Sequence, residues 1–239
     1  MDAIKVSNLC KEYKDVKAVN NLNLEIKEGE LFGLLGVNGA GKTTLIKMLT
    51  DIIKPTSGDI QIFNMKYPSD TLKIKELLNI SPQETAIAPN LTVKENLDFM
   101  AGIYLLNNKE DRIKELVKLF KLDKVLDKKT KNLSGGWQRK LSLAIALINK
   151  PKILFLDEPT LGLDVISRKE LWNILESLKG KMTIILTTHY MEEVEYLSDR
   201  IGIINNGLLV DIGTSKELIK KTKTKKLEDA FIKLVEGNL

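Results

Sequence analysis

With 239 residues, 43% of them hydrophobic and 29% charged, the chain is sized for one large domain or one domain carrying an insertion, and lies far from the disordered, collagenous and membrane-embedded classes. Its formal charge of +5 is local, because Lys220, Lys221, Lys223, Lys225 and Lys226 alone supply that excess, so a nucleic-acid partner is not expected. Cys10 is the single cysteine, which excludes an internal disulfide and argues against a cysteine-based metal site.

The opening MDAIKVSNLCKEYK lacks the basic start, apolar middle and small-residue cleavage site of a signal peptide, so a cytoplasmic location is expected. Region 1–91 then reads as short strands over Ile4–Val6, Leu22–Ile26, Leu31–Leu35 and Ile60–Ile62, with a helix over Lys42–Leu49 and breaks at Pro55 and Gly58. Region 92–150 is helical. Val93, Leu97, Met100, Ala101 and Tyr104 recur at helical spacing, as do Ile113, Leu116, Val117 and Phe120. Its longest apolar run, Leu141 to Ile148, is far short of the ~20 residues that cross a bilayer. Region 151–218 opens with Ile153–Leu156, an uninterrupted apolar run between Pro151 and Pro159, as a strand covered on both faces of a parallel sheet requires. A helix over 167–178, a second buried strand over Thr183–Thr188 and a helix over 191–197 follow. Strands alternating with helices predict an α/β fold interrupted by an all-helical insertion. The lysine run reads as a solvated linker, with an anionic membrane surface as the alternative. Beyond it, Ala230, Phe231 and Leu234 share one helical face that would dock on the same domain.

Within GVNGAGKTT, Gly36-x4-Gly41-Lys42-Thr43 matches the phosphate-binding loop pattern, with the required strand before it and helix after it. Such a loop, here Gly36, Val37, Asn38, Gly39, Ala40, Gly41 and Thr44, curls until backbone N–H groups point inward, and the helix N-terminus adds partial positive charge. The cradle suits a triphosphate. Lys42 would meet the β and γ phosphates and Thr43 would hold Mg²⁺. Asp157, closing the Ile153 strand, falls at the carboxyl edge of the sheet, where a Mg²⁺ partner belongs. Glu158 follows at once, and a carboxylate beside a metal-bound triphosphate can polarise water for attack on the γ phosphorus. Turn capping is the plainer reading of these adjacent acids. His189, the only histidine, ends the Thr183 strand beside the same crevice, where it can orient the attacking water; without that position a structural role would be the default. Ser134 is placed to cap a helix, but two glycines at the first helical positions weaken it, and a second anion cradle explains both.

These residues together resemble one family closely, the ATP-binding subunits of ABC transporters. GVNGAGKTT is similar to its Walker A, LSGGWQ to its signature motif, ILFLDEP to its Walker B and LGLD, with Asp164, to its D-loop. Gln83 sits where the family has its Q-loop, beside nucleotide and metal, His189 where it has the switch histidine, and Tyr13 where an aromatic stacks on adenine. The resemblance runs from Lys5 to about Leu218. It implies a single ABC ATPase domain over 1–239: a P-loop NTPase core with a mostly parallel sheet (1–91 and 151–218), an N-terminal antiparallel β subdomain, an all-helical subdomain (92–150) and a C-terminal helical tail (219–239). It also implies ATP and Mg²⁺ as cofactors, with two subunits paired head to tail so that Ser134, Gly135 and Gly136 cradle the γ phosphate held by the partner's Lys42. A transmembrane permease on a separate polypeptide would hold the pair at the inner face of the cell membrane.

Trp137 stands where many members have glutamine, and the following helix reads Ala-Ile-Ala-Leu where an arginine is common. With TLGLD, THYMEE and LEDAFIKL, these features lean toward exporters of drugs, polysaccharides or ions. Three other readings compete. A GTPase would use Asn108-Lys109-Glu110-Asp111, which follows a helix and reads better as an interhelical turn and N-cap. A soluble relative acting in DNA repair or translation usually needs coiled coils or tandem cassettes. A non-catalytic ATP-binding regulator would have no use for Glu158.

Overall fold

The computed structural model describes residues 1–237; positions 238 and 239, the end of the expected 219–239 tail, lie outside the described residues. In chain order the first half runs β1 (Asp2–Tyr13), β2 (Val16–Lys27), β3 (Leu31–Leu35), α1 (Lys42–Leu49), β4 (Ser57–Ile62), β5 (Met65–Lys66), α2 (Thr71–Leu77), β6 (Leu78–Ser81), α3 (Val93–Ile103) and α4 (Lys109–Phe120). There follow α5 (Gly135–Ala146), β7 (Ile153–Asp157), α6 (Val165–Leu178), β8 (Thr183–Thr188), α7 (Met191–Leu197), β9 (Arg200–Asn205), β10 (Leu208–Gly213), α8 (Ser215–Thr222) and α9 (Leu227–Glu236).

Two sheets form. The antiparallel one has the order β2-β1-β4-β5, and the larger has β10-β9-β3-β8-β7-β6, parallel throughout except for β10. Every residue of β3, β7 and β8 is buried, which is why β3 and β7 read as apolar runs and β8 mixes only isoleucine, leucine and threonine. Side chains alternate across the sheet. Leu154, Leu156, Ile184 and Leu186 join α3, α4, α5 and α6 in one core, while Phe32, Leu34, Ile153 and Phe155 join α1 and the antiparallel sheet in another. The helices of 92–150 thus share a core with one face of the sheet. Thr92 starts α3 with a reciprocal capping box to Glu95, a contribution of about 1 kcal/mol.

Several elements differ from the sequence pattern. β1 and β2 extend well beyond Ile4–Val6 and Leu22–Ile26, because irregular register carries β1 through Asn8, whose φ is 49°. The α2, β6, β9 and β10 elements carry weak signals of their own. Only Ile74 of α2 is buried, β6 is four residues long, and Gly202 interrupts β9 where the Phe32 ring fills the space of a side chain. The lysine run is a solvated linker only over 223–226, between α8 and α9. Lys220 and Lys221 finish α8, Lys223 turns with φ 55°, and Lys226 stands just before α9. Lys221 is also paired with Asp211 at 2.6 Å. The α9 face docks as expected. Leu227, Phe231 and Leu234 pack with Leu35, Val194 and Ile203, each such burial contributing about 1.5–3 kcal/mol. No helix among the described residues is long and apolar enough to cross a membrane.

Candidate active site

The turn between β3 and α1 is shaped by glycine. Gly41 has φ 105°, and a Cβ there would stand 2.3 Å from the carbonyl oxygen of Ala18 on β2. A Cβ at Gly36 would meet the carbonyl oxygen of Ile204 at 2.5 Å. The loop is thereby pressed against neighbouring backbone and opens on a cavity of about 780 Å³. Asn38 to Thr44, Gln83, Glu158, Leu161, His189 and Asn206 line it, and Asp15 to Ala18 close one side.

Lys42 is buried, with its ammonium donating to the carbonyls of Gly36 at 2.7 Å and Val37 at 3.1 Å. Burial pushes its pKa below the usual lysine value, partly offset by Glu158 and Asp157. Its nitrogen lies 3.7 Å from Glu158 Oε1. At the end of β7, Asp157 Oδ1 accepts from Thr187 at 2.6 Å and from Thr43 at 3.2 Å. A hydroxyl and a carboxylate meeting at one point form a hard oxygen pair, the donor type that Mg²⁺ prefers. Among the described residues no cluster of three or more His, Cys, Asp or Glu makes a metal cage.

Glu158 holds φ 50°, a conformation disfavoured for a residue with a Cβ, and its carboxylate is buried. Its Oε2 stands 2.9 Å from His189 Nδ1, yet off the line a hydrogen bond needs, so both atoms lack a hydrogen-bond partner among the described residues. Both residues line the cavity, and each keeps one buried polar atom without a hydrogen-bond partner, which is rare in a folded chain.

The remaining candidates lie elsewhere. Tyr13 is 46% exposed at the end of β1, under Lys11, and does not line the cavity wall, which the next hairpin residues form. Ser134 occupies the N-cap position of α5 without a side-chain capping bond, so capping does not explain it, and neither does Asn108 cap α4 through its side chain. Ser134 and Gly135 are exposed and Gly136 is partly so, all outside the cavity. Asp164 caps α6, accepting from Ile166 and Ser167 backbone N–H groups, and the Ser167 hydroxyl holds its carboxyl below the usual range. Two residues that the motifs do not single out shape the wall from behind. Thr187 holds Asp157, and buried Arg139 on α5 donates to the backbone of both Asp157 and Glu158. Nothing in either residue type, read in sequence, signals that role.

Residues 19–161 match the sequence model described as ABC transporter. The chain belongs to the ABC transporter family. Among the relatives of this ABC cassette, the phospholipid-transporting ATPase ABCA3 of Homo sapiens is 42% identical over 91% of the chain, and the probable multidrug ABC transporter ATP-binding protein YbhF of Escherichia coli is 37% identical over 97%. The chain spans only 13% and 41% of those two proteins. The linearmycin resistance ATP-binding protein LnrL of Bacillus subtilis is 39% identical over 91% of the chain and 71% of its own length. Among solved structures, an ATP-binding subunit of an ABC transporter superposes with a TM-score of 0.87 at 26% identity, covering 97% of this chain and 99% of that one. A dimeric ATP-binding cassette in a post-hydrolysis state, bound to ADP and Pi, superposes at 0.80 with 28% identity, covering 88% and 98%. The fold of the ABC cassette, an α/β core with an antiparallel sheet beside a mostly parallel one, is that of these structures.

Proposed function

We propose that this ABC cassette hydrolyses ATP with Mg²⁺ as one of a head-to-tail pair and powers export through a separate permease. One observation carries the reading: Lys42, at the start of α1, and Glu158 and His189, just beyond the adjacent strands β7 and β8, line one cavity, with one polar atom each of Glu158 and His189 unpartnered. In this reading the Asn38–Thr44 backbone and Lys42 hold the phosphates, while Thr43, Asp157 and Gln83 belong to the Mg²⁺ site. Bound Mg²⁺ would neutralise charge on the transferring phosphoryl group. Glu158 would accept a proton from the attacking water while His189 holds that water and the γ phosphate in line. Tyr13 would close over adenine from the hairpin edge.

The pairing is supported by what this chain leaves outward. Ser134, Gly135 and Gly136 are turned away from the chain's own cavity, and Leu161, Val165 and Ile166 beside Asp164 are exposed apolar residues at 41%, 71% and 74%. A second copy would cover both. Leu72, Phe99, Ile103 and Leu105 expose a further apolar surface around α2 and α3, where the 92–150 helical subdomain would meet a permease near Gln83 and place the cassette at the inner face of the membrane. The names of LnrL and YbhF, a resistance protein and a probable multidrug transporter component, favour export. The test is ATP turnover by wild type and Glu158→Gln, with an expected loss of about 10² to 10⁴ fold. An unchanged rate removes Glu158 from the mechanism, and copurification with ribosomes or DNA in place of a membrane protein removes transport.

A further inference from the structure

We propose that Arg139 is a positioning residue for ATP hydrolysis, locking the Glu158 turn and the Gln83 turn to the helix that carries Ser134, Gly135 and Gly136. The inference rests on the ATPase reading of the site. Arg139 lies one helical turn beyond Gly135 on α5 and is 4% exposed. Its Nε donates to the carbonyl of Pro159 at 2.6 Å, and Nη2 to those of Asp157 at 3.0 Å and Glu158 at 2.8 Å. Nη1 donates to Pro82 at 2.6 Å and Gln83 at 3.3 Å. All these acceptors are main-chain oxygens.

A guanidinium presents its donors in one rigid plane, so the acceptors it satisfies are fixed relative to each other. Here they come from two separate segments, both of which place a side chain in the nucleotide cavity. The carbonyls of 157, 158 and 159 converge on one cation only because the chain curls at Glu158, with φ 50°. That curl is the disfavoured backbone noted above, and the cation at its centre is what can hold it. Burial lowers the Arg139 pKa to about 10, opposed by Glu193, Asp157 and Glu158, so the side chain stays charged at neutral pH. The same helix ends in the exposed serine-glycine turn. A shift of α5 against the sheet therefore moves the hydrolytic carboxylate and Gln83 together, and the surface offered to a second copy moves with them.

Arg139→Met and Arg139→Lys in the full chain test this. For Arg139→Met, calorimetry is expected to show wild-type stoichiometry and affinity for MgATP, while kcat falls about 10²-fold at unchanged KM, the cost of misplacing a reacting group. Backbone hydrogen exchange should quicken at 82–84 and 157–161 and not at 36–44. Arg139→Lys keeps the charge but not the fork, and should recover part of kcat. Turnover per ATP-binding chain equal to wild type overturns the proposal, as does exchange that quickens evenly across the core, the mark of a merely structural residue. Should Arg139→Met not fold, Arg139→Lys is read by the same kcat and exchange criteria. A wild type that binds ATP without turning it over would remove the ATPase reading, while the local exchange pattern would still decide whether Arg139 fixes the two turns.

Discussion

His189 Nδ1 lies 2.9 Å from Glu158 Oε2, although the two residues follow different strands, β8 and β7, and neither atom has a hydrogen-bond partner among the described residues. The pair is held in place by the sheet, since β7 and β8 are in register with Asp157 beside Thr187. Both residues line the cavity of the phosphate loop.

His189→Ala is expected to lower kcat by about 10² to 10³ fold with MgATP affinity retained. In the proposed mechanism the two residues act on one water, so adding Glu158→Gln should cost far less than the product of the single losses. Single-turnover kinetics measure this. Fully multiplicative losses would show that the two work independently.

Substitutions in the serine-glycine turn test the proposed assembly apart from folding. A Cβ at Gly135 meets nothing within 4 Å, whereas one at Gly136 would stand 2.8 Å from Ser167 Oγ, which is committed to Asp164. Gly135→Ala should therefore leave the melting temperature unchanged or raise it, by up to about 1 kcal/mol of helix propensity, while ATP-dependent dimers of the Glu158→Gln background are lost. Gly136→Ala should lose both dimerisation and roughly 1 kcal/mol of stability. Light scattering with and without ATP, beside thermal melts, reads the two effects. Dimers of normal strength in Gly135→Ala would contradict the assembly model.

Magnesium dependence should follow the Thr43–Asp157 contact. Thr43→Ser keeps the hydroxyl and should behave as wild type, while Thr43→Ala and Asp157→Asn should need about 10 to 100 fold more Mg²⁺ for half-maximal turnover. A Mg²⁺ titration of steady-state rates checks it, and an unshifted midpoint in Asp157→Asn would move the metal elsewhere.

Glu193 offers a pH test of the buried region behind the site. It is fully buried on α7, accepts from Trp172 Nε1 at 3.0 Å, and burial raises its pKa above the ordinary 4.5. The folded chain therefore keeps this proton at pH values where the unfolded chain has released it, so folding loses stability as pH climbs from 4.5 through the raised value. Glu193→Gln has no proton to lose. Its melting temperature should match wild type below that window and exceed it increasingly above, with each 1 kcal/mol appearing as about 2–4 °C. A gap that shrinks with rising pH would reverse the assignment.

The fully buried strands β3, β7 and β8 were legible almost end to end, β1, β2 and β4 only in part, and α1 through the glycine-lysine loop that announces its start. β6 was not legible, because its four residues gain their meaning only from pairing with β7. Likewise β9 hides behind Gly202, tolerated because the Phe32 ring fills its place. For the site, Lys42, Thr43, Asp157, Glu158 and His189 carry side-chain chemistry that a motif records, and the structure brings them to one place. Arg139 and Thr187 work through partners that only the tertiary fold supplies, so their residue types announce nothing.

The position of β3 between β8 and β9 has a consequence for how the protein is made. The strand that presents the phosphate loop is made well before both its neighbours, which lie in residues 183–205. Such distant pairing is slow to close. A nascent chain halted after the helices of 92–150 would carry a complete glycine loop beside the antiparallel sheet but without the parallel strands that flank β3, and competence to grip a nucleotide would arrive in a single event, once residues 183–205 have emerged.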